Sequence, residues 1–349
     1  MKRIVILLLF LTIIFSSCIR LPKVEDTNFS DLTNAQKELL IRLIATGYNR
    51  GGNYTFEKLI ELANENGYGY DDNVLEFYKY FIGEINYTTK TKNLEDVPNY
   101  DPVIKNYIKN ITEEHFKNDS SNLFLIDYYD EKLPSNSNKL YPALNPIRKT
   151  KYEKRENLIN KLYSKITEYY NSSSTFKAWF DYYYPDKSLS ENDLKNFSEY
   201  LVDIAYTYLN SNIELNRLKY TSSDLYPKKI KLNDIPVELI LAIIMQESRF
   251  FPGSFRAEIS NGNIYALSFG LTHVLIDADF LDISNNNIDI GDGNKGESNF
   301  DLISYFYLGN NRNEETYFSD WDLITIRGSI LYSAIYLDML YQKLIKYIK

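Results

Sequence analysis

Cysteine is almost missing from this chain: Cys18 stands alone among 349 residues. No disulfide can form within the chain, and with His115 and His273 as the only histidines a structural zinc site lacks donors. Positive charge is in short supply too. The 39 Lys and Arg face 47 Asp and Glu, for a formal net charge of -8, and so acidic a chain is a poor partner for the phosphate backbone of nucleic acid. No repeat of fixed period is present, which argues against a solenoid. Calcium chemistry fails on spacing. In DIGDGNKGESNFD, taking Asp292 as first ligand puts Gly296 and Glu297 where an EF-hand loop requires a polar ligand and a glycine. That segment reads as a solvated turn, and neither a metal nor a cofactor is expected.

What is present is enough to fold. The length suits two domains at roughly 100 to 200 residues each, and 44% hydrophobic content can build their cores. The 32 tyrosines, alongside abundant Asn, Ile and Lys, most simply reflect coding bias and carry no functional weight as a count. At the start, Lys2 and Arg3 precede an apolar stretch from Ile4 to Phe15, followed by Ser16, Ser17 and Cys18. The stretch is too short to span a bilayer and has the layout of a secretory signal. Small residues before a lone cysteine resemble the lipobox of bacterial lipoproteins, with Phe15 where leucine is usual. Residues 1–17 are therefore expected to be a signal peptide, and Cys18 the acylated first residue of the mature protein. An ordinary signal peptide with a leftover cysteine is the alternative. Loss of Lys2 and Arg3 takes the charge from -8 to -10.

Residues 18–30 suit a polar tether. Thr33 and Gln36 then have capping-box spacing, Leu39, Leu40, Leu43 and Ile44 supply an apolar stripe, and Gly47 offers a stop. The same period recurs in Leu158, Ile159, Leu162, Tyr163, Ile166 and Tyr170, and again in Leu194, Phe197, Leu201, Ile204, Ala205 and Tyr208. The fold class is mainly α. Residues 118–150, rich in Asn and Ser with Pro134, Pro142 and Pro146, read as a long loop or joint. The aromatic segment from Phe176 to Pro185 reads as core or interdomain seam, with a sugar-stacking platform as the alternative.

NDIPVELILAIIMQES predicts a helix whose start is capped by Asn233 or Asp234 and primed by Pro236. From Val237 to Met245 only Glu238 is polar, so the helix is central, and Glu247 falls at its C-terminal end on the face of Ile240, Ile243 and Ile244. Dry surroundings and the negative end of the helix dipole both disfavour the ionised carboxylate there. A carboxyl kept protonated near neutral pH is what glycosidic cleavage needs, because the leaving oxygen must be protonated as its bond breaks. Taken by itself the helix also allows a plainer outcome, a carboxylate that emerges into water or pairs with Arg249.

The neighbours point further. Glu247-Ser248-Arg249-Phe250-Phe251-Pro252 resembles the E-S-x-F-x-P signature of the soluble lytic transglycosylases, lysozyme-like enzymes that cut bacterial peptidoglycan. Ala266-Leu267-Ser268-Phe269-Gly270-Leu271-Thr272-His273 is similar to that family's A-x-S-x-G-L-M-Q turn, and Ser329 to Leu337 to its N-I-x-x-G-x-x-Y-L helix. The resemblance spans about Ser190 to Lys349. It implies a lysozyme-like catalytic domain over 189–349 with a small β-hairpin, which leaves residues 31–188, helical by their periodicity, as a region of unknown role. It also implies Glu247 as acid and then base, no carboxylate nucleophile, and 1,6-anhydro-muramoyl products. Ser248, Ser268, Phe269, Gly270, Leu271, Thr272, His273 and Tyr336 would line the sugar site. Glycan strands would be the partner, and the lipid on Cys18 would hold the enzyme in the envelope, at the outer membrane facing the periplasm.

The chain departs from the pattern in several places: Ser329 and Ser333 replace the Asn and the Gly of the last motif, and the loop between Asp277 and Asp320 is longer than the family's. Thr272-His273 replaces the family's Met-Gln pair, and the closing A-Y-N-x-G helix, whose tyrosine reaches the catalytic Glu, has no counterpart. Tyr305, Tyr307 and Tyr336 are candidates for the missing phenol. Two further readings stay open: a non-catalytic glycan-binding lipoprotein on the same fold, and a helical surface lipoprotein that contacts proteins.

Overall fold

The computed structural model describes residues 28–52, 54–88, 154–172, 190–209, 214–217, 226–251, 255–260, 263–277, 281–282, 287–288, 303, 307 and 326–348. Residues 1–17, Cys18, the Asn- and Ser-rich stretch, the aromatic segment from Phe176, the acidic loop and Tyr305 lie outside them. Among the described residues the chain is mainly helical. The helices are α1 (Asn34–Arg50), α2 (Phe56–Ala63), α3 (Tyr70–Ile82), α4 (Arg155–Ser172), α5 (Glu191–Leu209), α6 (Val237–Glu247) and α7 (Ile326–Ile348). None is long and apolar enough to cross a membrane.

Local signals explain several of these boundaries. The Thr33 side chain accepts from the Gln36 backbone N–H while Gln36 returns a bond to Thr33, so the capping box that starts α1 is complete. Gly47 does not stop this helix. The chain runs on to Arg50 and ends at Gly51, whose φ of 108° suits glycine. Gly47 instead lies against α7: a Cβ built on it would sit 2.9 Å from Leu340 Cδ2. Leu39, expected in the stripe, is exposed. The tether expected up to residue 30 gives way by Phe29, which begins a short 3-10 turn and packs edge-on to Tyr78 at 6.3 Å.

One apolar core joins helices on both sides of residue 189. The central helix α6 packs against α3 and α5, α7 against α1 and α5, and α4 against α5. Between Val237 and Met245 every residue of α6 is buried, each large aliphatic contributing about 1.5 to 3 kcal/mol. Its start differs from the sequence expectation. Pro236 occupies the N-cap position with no side-chain cap, and Asp234 lies in a 3-10 turn, Leu232–Asp234. There it meets Asp338 of α7, a fully buried carboxylate that accepts from the Lys231 backbone N–H at 3.0 Å and from Gln342 Nε2 at 2.6 Å. Burial first, then the charge of Asp234, pushes the Asp338 carboxyl well above the usual range.

Short antiparallel strands complete the described fold. β1 (Glu214–Asn216) pairs with β2 (Lys229–Lys231). After α6 comes a three-stranded sheet in the order β3 (Phe255–Ser260), β4 (Asn263–Phe269), β5 (Val274–Asp277). The four-residue connection from Gly270 to His273 closes the β4–β5 hairpin, with Phe269 paired to Val274. A last pair, β6 (Leu281–Asp282) and β7 (Asn287–Ile288), follows.

Candidate active site

Glu247 is the last residue of α6, and the backbone turns sharply after it. Arg249 and Phe250 have φ of 51° and 68°, in the left-handed region that side chains other than glycine rarely adopt. Each costs about 1 to 3 kcal/mol. Burial of Phe250 and Phe251, both 1% exposed, offsets that cost. Phe250 sits 6.4 Å from the Tyr169 ring of α4, so the two phenylalanines anchor the turn and fix where the Glu247 side chain emerges. That side chain is mostly covered, at 14% exposure.

Two side chains from distant parts of the chain meet its carboxylate. Tyr70, the first residue of α3, donates its hydroxyl to Glu247 Oε1. His273 brings Nδ1 within 3.3 Å of Oε2. Burial, followed by the Glu247 charge and the hydrogen bond to it, raises the Tyr70 phenol well above its ordinary value, so Tyr70 keeps its proton and acts as donor. The start of α3 is itself tied down, with Arg42 Nε of α1 2.8 Å from Asp71 and 3.1 Å from Asp72.

His273 is aimed by its turn. Its φ is 48°, that of Gly270 is 83°, and the His273 N–H donates to Gly270 O at 3.3 Å. Tyr48 of α1 donates to the Thr272 carbonyl at 2.9 Å and shares a 3.2 Å hydrogen bond with Ser333 of α7. The Thr272 hydroxyl meets the Ser329 hydroxyl at 3.0 Å. Thus α1 and α7 clamp the hairpin turn that carries His273. Burial, then the Glu247 charge, also holds the Tyr48 phenol above its ordinary value.

The residues singled out from sequence fall into two groups. Glu247 and His273 come together. Ser248 is buried with its hydroxyl bonded to Ile244 O at 3.2 Å, while Leu271 and Thr272 pack inside. Ser268 lies on β4 at the edge of burial, and Phe269 and Gly270 lead into the turn. Tyr336 is buried against Tyr48 with ring centroids 5.4 Å apart; it donates to Gly47 O and accepts from the Gly52 N–H. Tyr307 donates to Pro227 O at 2.7 Å. Neither of these two phenols is directed at Glu247. Tyr70 is, and it went unnoticed in the sequence although its segment, Gly67-Tyr68-Gly69-Tyr70, alternates glycine with an aromatic ring just before a helix.

The constellation is chemically definite. A carboxyl approached on both oxygens, by a phenol and by an imidazole, is held in one orientation and can exchange a proton on a fixed line. The chain matches no protein-family model, no curated protein and no solved structure.

Proposed function

We propose that the protein is a peptidoglycan lytic transglycosylase with a lysozyme-like catalytic region, anchored in the bacterial envelope through a lipid on Cys18. The observation that carries this reading is the Tyr70 hydroxyl on Glu247. The resemblance to lytic transglycosylases calls for a tyrosine at the catalytic carboxyl, and Tyr70 supplies that chemistry from another part of the chain.

In the proposed reaction Glu247 gives its proton to the oxygen between N-acetylmuramic acid and N-acetylglucosamine as the C1–O bond breaks. The muramoyl acetamide oxygen bonds to C1 in its place. The C6 hydroxyl then attacks C1, the acetamide leaves, and Glu247 takes the C6 hydroxyl proton as the 1,6-anhydro ring closes. One carboxyl serves as acid and then base, so its orientation must survive both steps. Tyr70 and His273 supply that constancy, and the cover over the Glu247 side chain, 14% exposed, limits water around it.

Incubation with purified sacculi, followed by mass analysis of released fragments, tests the reading. Anhydro-ended muropeptides from the wild type that vanish with Glu247→Gln are expected; hydrolytic ends, or no release, would refute it. A second reading is a non-catalytic glycan binder on the same fold; Ser248, Leu271, Thr272 and Tyr336 are buried and hold the turns rather than line a sugar site. Retention on sacculi without any release would favour it.

A further inference from the structure

Most described tyrosines are core residues. Tyr68 and Tyr70 are not: both remain partly accessible, Tyr70 against Glu247 and Tyr68 next to Tyr70, with ring centroids 6.5 Å apart and planes only 21° from parallel. The Arg50 guanidinium lies over one face of the Tyr68 ring, 4.8 Å from its centroid, and the Tyr68 hydroxyl meets Asn49 Oδ1 at 3.4 Å. Burial lifts its phenol to about 12, so this hydroxyl too stays a donor at neutral pH. The flanking glycines face open space, since a Cβ built on Gly67 or Gly69 meets no atom within 4 Å. Gly67, at φ 86°, takes a left-handed turn just before the two rings.

We propose that Tyr68 and Tyr70 form a carbohydrate-stacking subsite that takes one pyranose ring of an N-acetylhexosamine strand. The apolar face of a pyranose matches a flat aromatic surface, and hydroxyls at its rim find donors and acceptors in Arg50, Asn49 and the Tyr68 hydroxyl. The subsite gives residues 49–70 a role in the same reaction as Glu247. Tyr70 contributes its ring to the sugar and its hydroxyl to the carboxyl, so a seated ring lies directly beside the acid. Its purpose rests on the proposed role of Glu247, but its existence does not.

The test uses the full chain carrying Glu247→Gln, with binding of a chitin tetrasaccharide followed by calorimetry. In that background Tyr68→Ala is expected to weaken binding about ten-fold, the scale of one lost aromatic contact. Tyr68→Leu, which keeps bulk without a flat face, should weaken it similarly and guards against a folding defect in the alanine variant. Tyr347→Ala, at an exposed tyrosine away from Glu247, should change nothing. The subsite is refuted if the tetrasaccharide does not bind, if both Tyr68 variants bind like their parent, or if Tyr347→Ala is equally harmful. Binding that depends on Tyr68 without anhydro products from wild type would leave the subsite standing and remove the lyase reading. Anhydro products with binding indifferent to Tyr68 would do the reverse.

Discussion

Tyr70 and Glu247 are hydrogen-bonded although 177 residues separate them in the chain. The bond joins the start of α3 to the end of α6, two helices that also pack along their lengths, so it is part of the fold as well as of the site.

Tyr70→Phe removes that donor and leaves the ring. Release of anhydro-muropeptides is expected to fall about ten- to a hundred-fold, while stability drops by no more than about 1.5 kcal/mol, the worth of one hydrogen bond. Parallel sacculus digestion and thermal melts check both halves. A variant as active as wild type would remove Tyr70 from the chemistry.

Asp338 predicts a dependence of stability on pH. Its folded-state carboxyl titrates above its unfolded value, so the native state binds the extra proton. Stability from this group is therefore full below the ordinary Asp range, about 3.9, and is lost as pH climbs from there toward the folded value. Asp338→Asn, which cannot ionise, should flatten the curve and gain on wild type toward alkaline pH. Urea denaturation from pH 4 to pH 8 measures it.

Arg155 grips Asp203 with two bonds, Nε to Oδ1 at 2.7 Å and Nη2 to Oδ2 at 2.9 Å, and Asp203 is almost fully buried between α4 and α5. Arg155→Ala takes the guanidinium from a buried carboxylate and should cost about 3 kcal/mol. Replacing both partners by apolar residues, Arg155→Met with Asp203→Leu, should recover most of the loss in denaturant titrations.

Gly47 tests how closely α1 and α7 approach. Alanine gains about 1 kcal/mol in helix propensity, but its Cβ crowds the buried Leu340, an overpacking worth about 1 to 3 kcal/mol. Gly47→Ala should therefore destabilise by about 1 kcal/mol, and Leu340→Val alongside it should restore part of that.

What could be read from sequence was local. The capping box of Thr33 and Gln36, the stripe of α5 and the end of α6 at Glu247 all depend on spacings within a few residues, and each recurs in the structure. Gly47 and Asp234 were misread because both look like helix punctuation. Their real neighbours, Leu340 and Asp338, lie on a helix about a hundred residues or more away. The site divides in the same way. Glu247 showed as a charge ending an apolar helix, whereas Tyr70, Tyr48, Ser329 and Ser333 act through tertiary contacts that leave no periodic trace.

The Tyr48 hydroxyl, resting on the Thr272 carbonyl, makes the first long helix custodian of a turn that lies 224 residues further along the chain. Wear in that helix would blunt the aim of His273 before it unravelled the protein, so loss of sharpness would precede loss of shape.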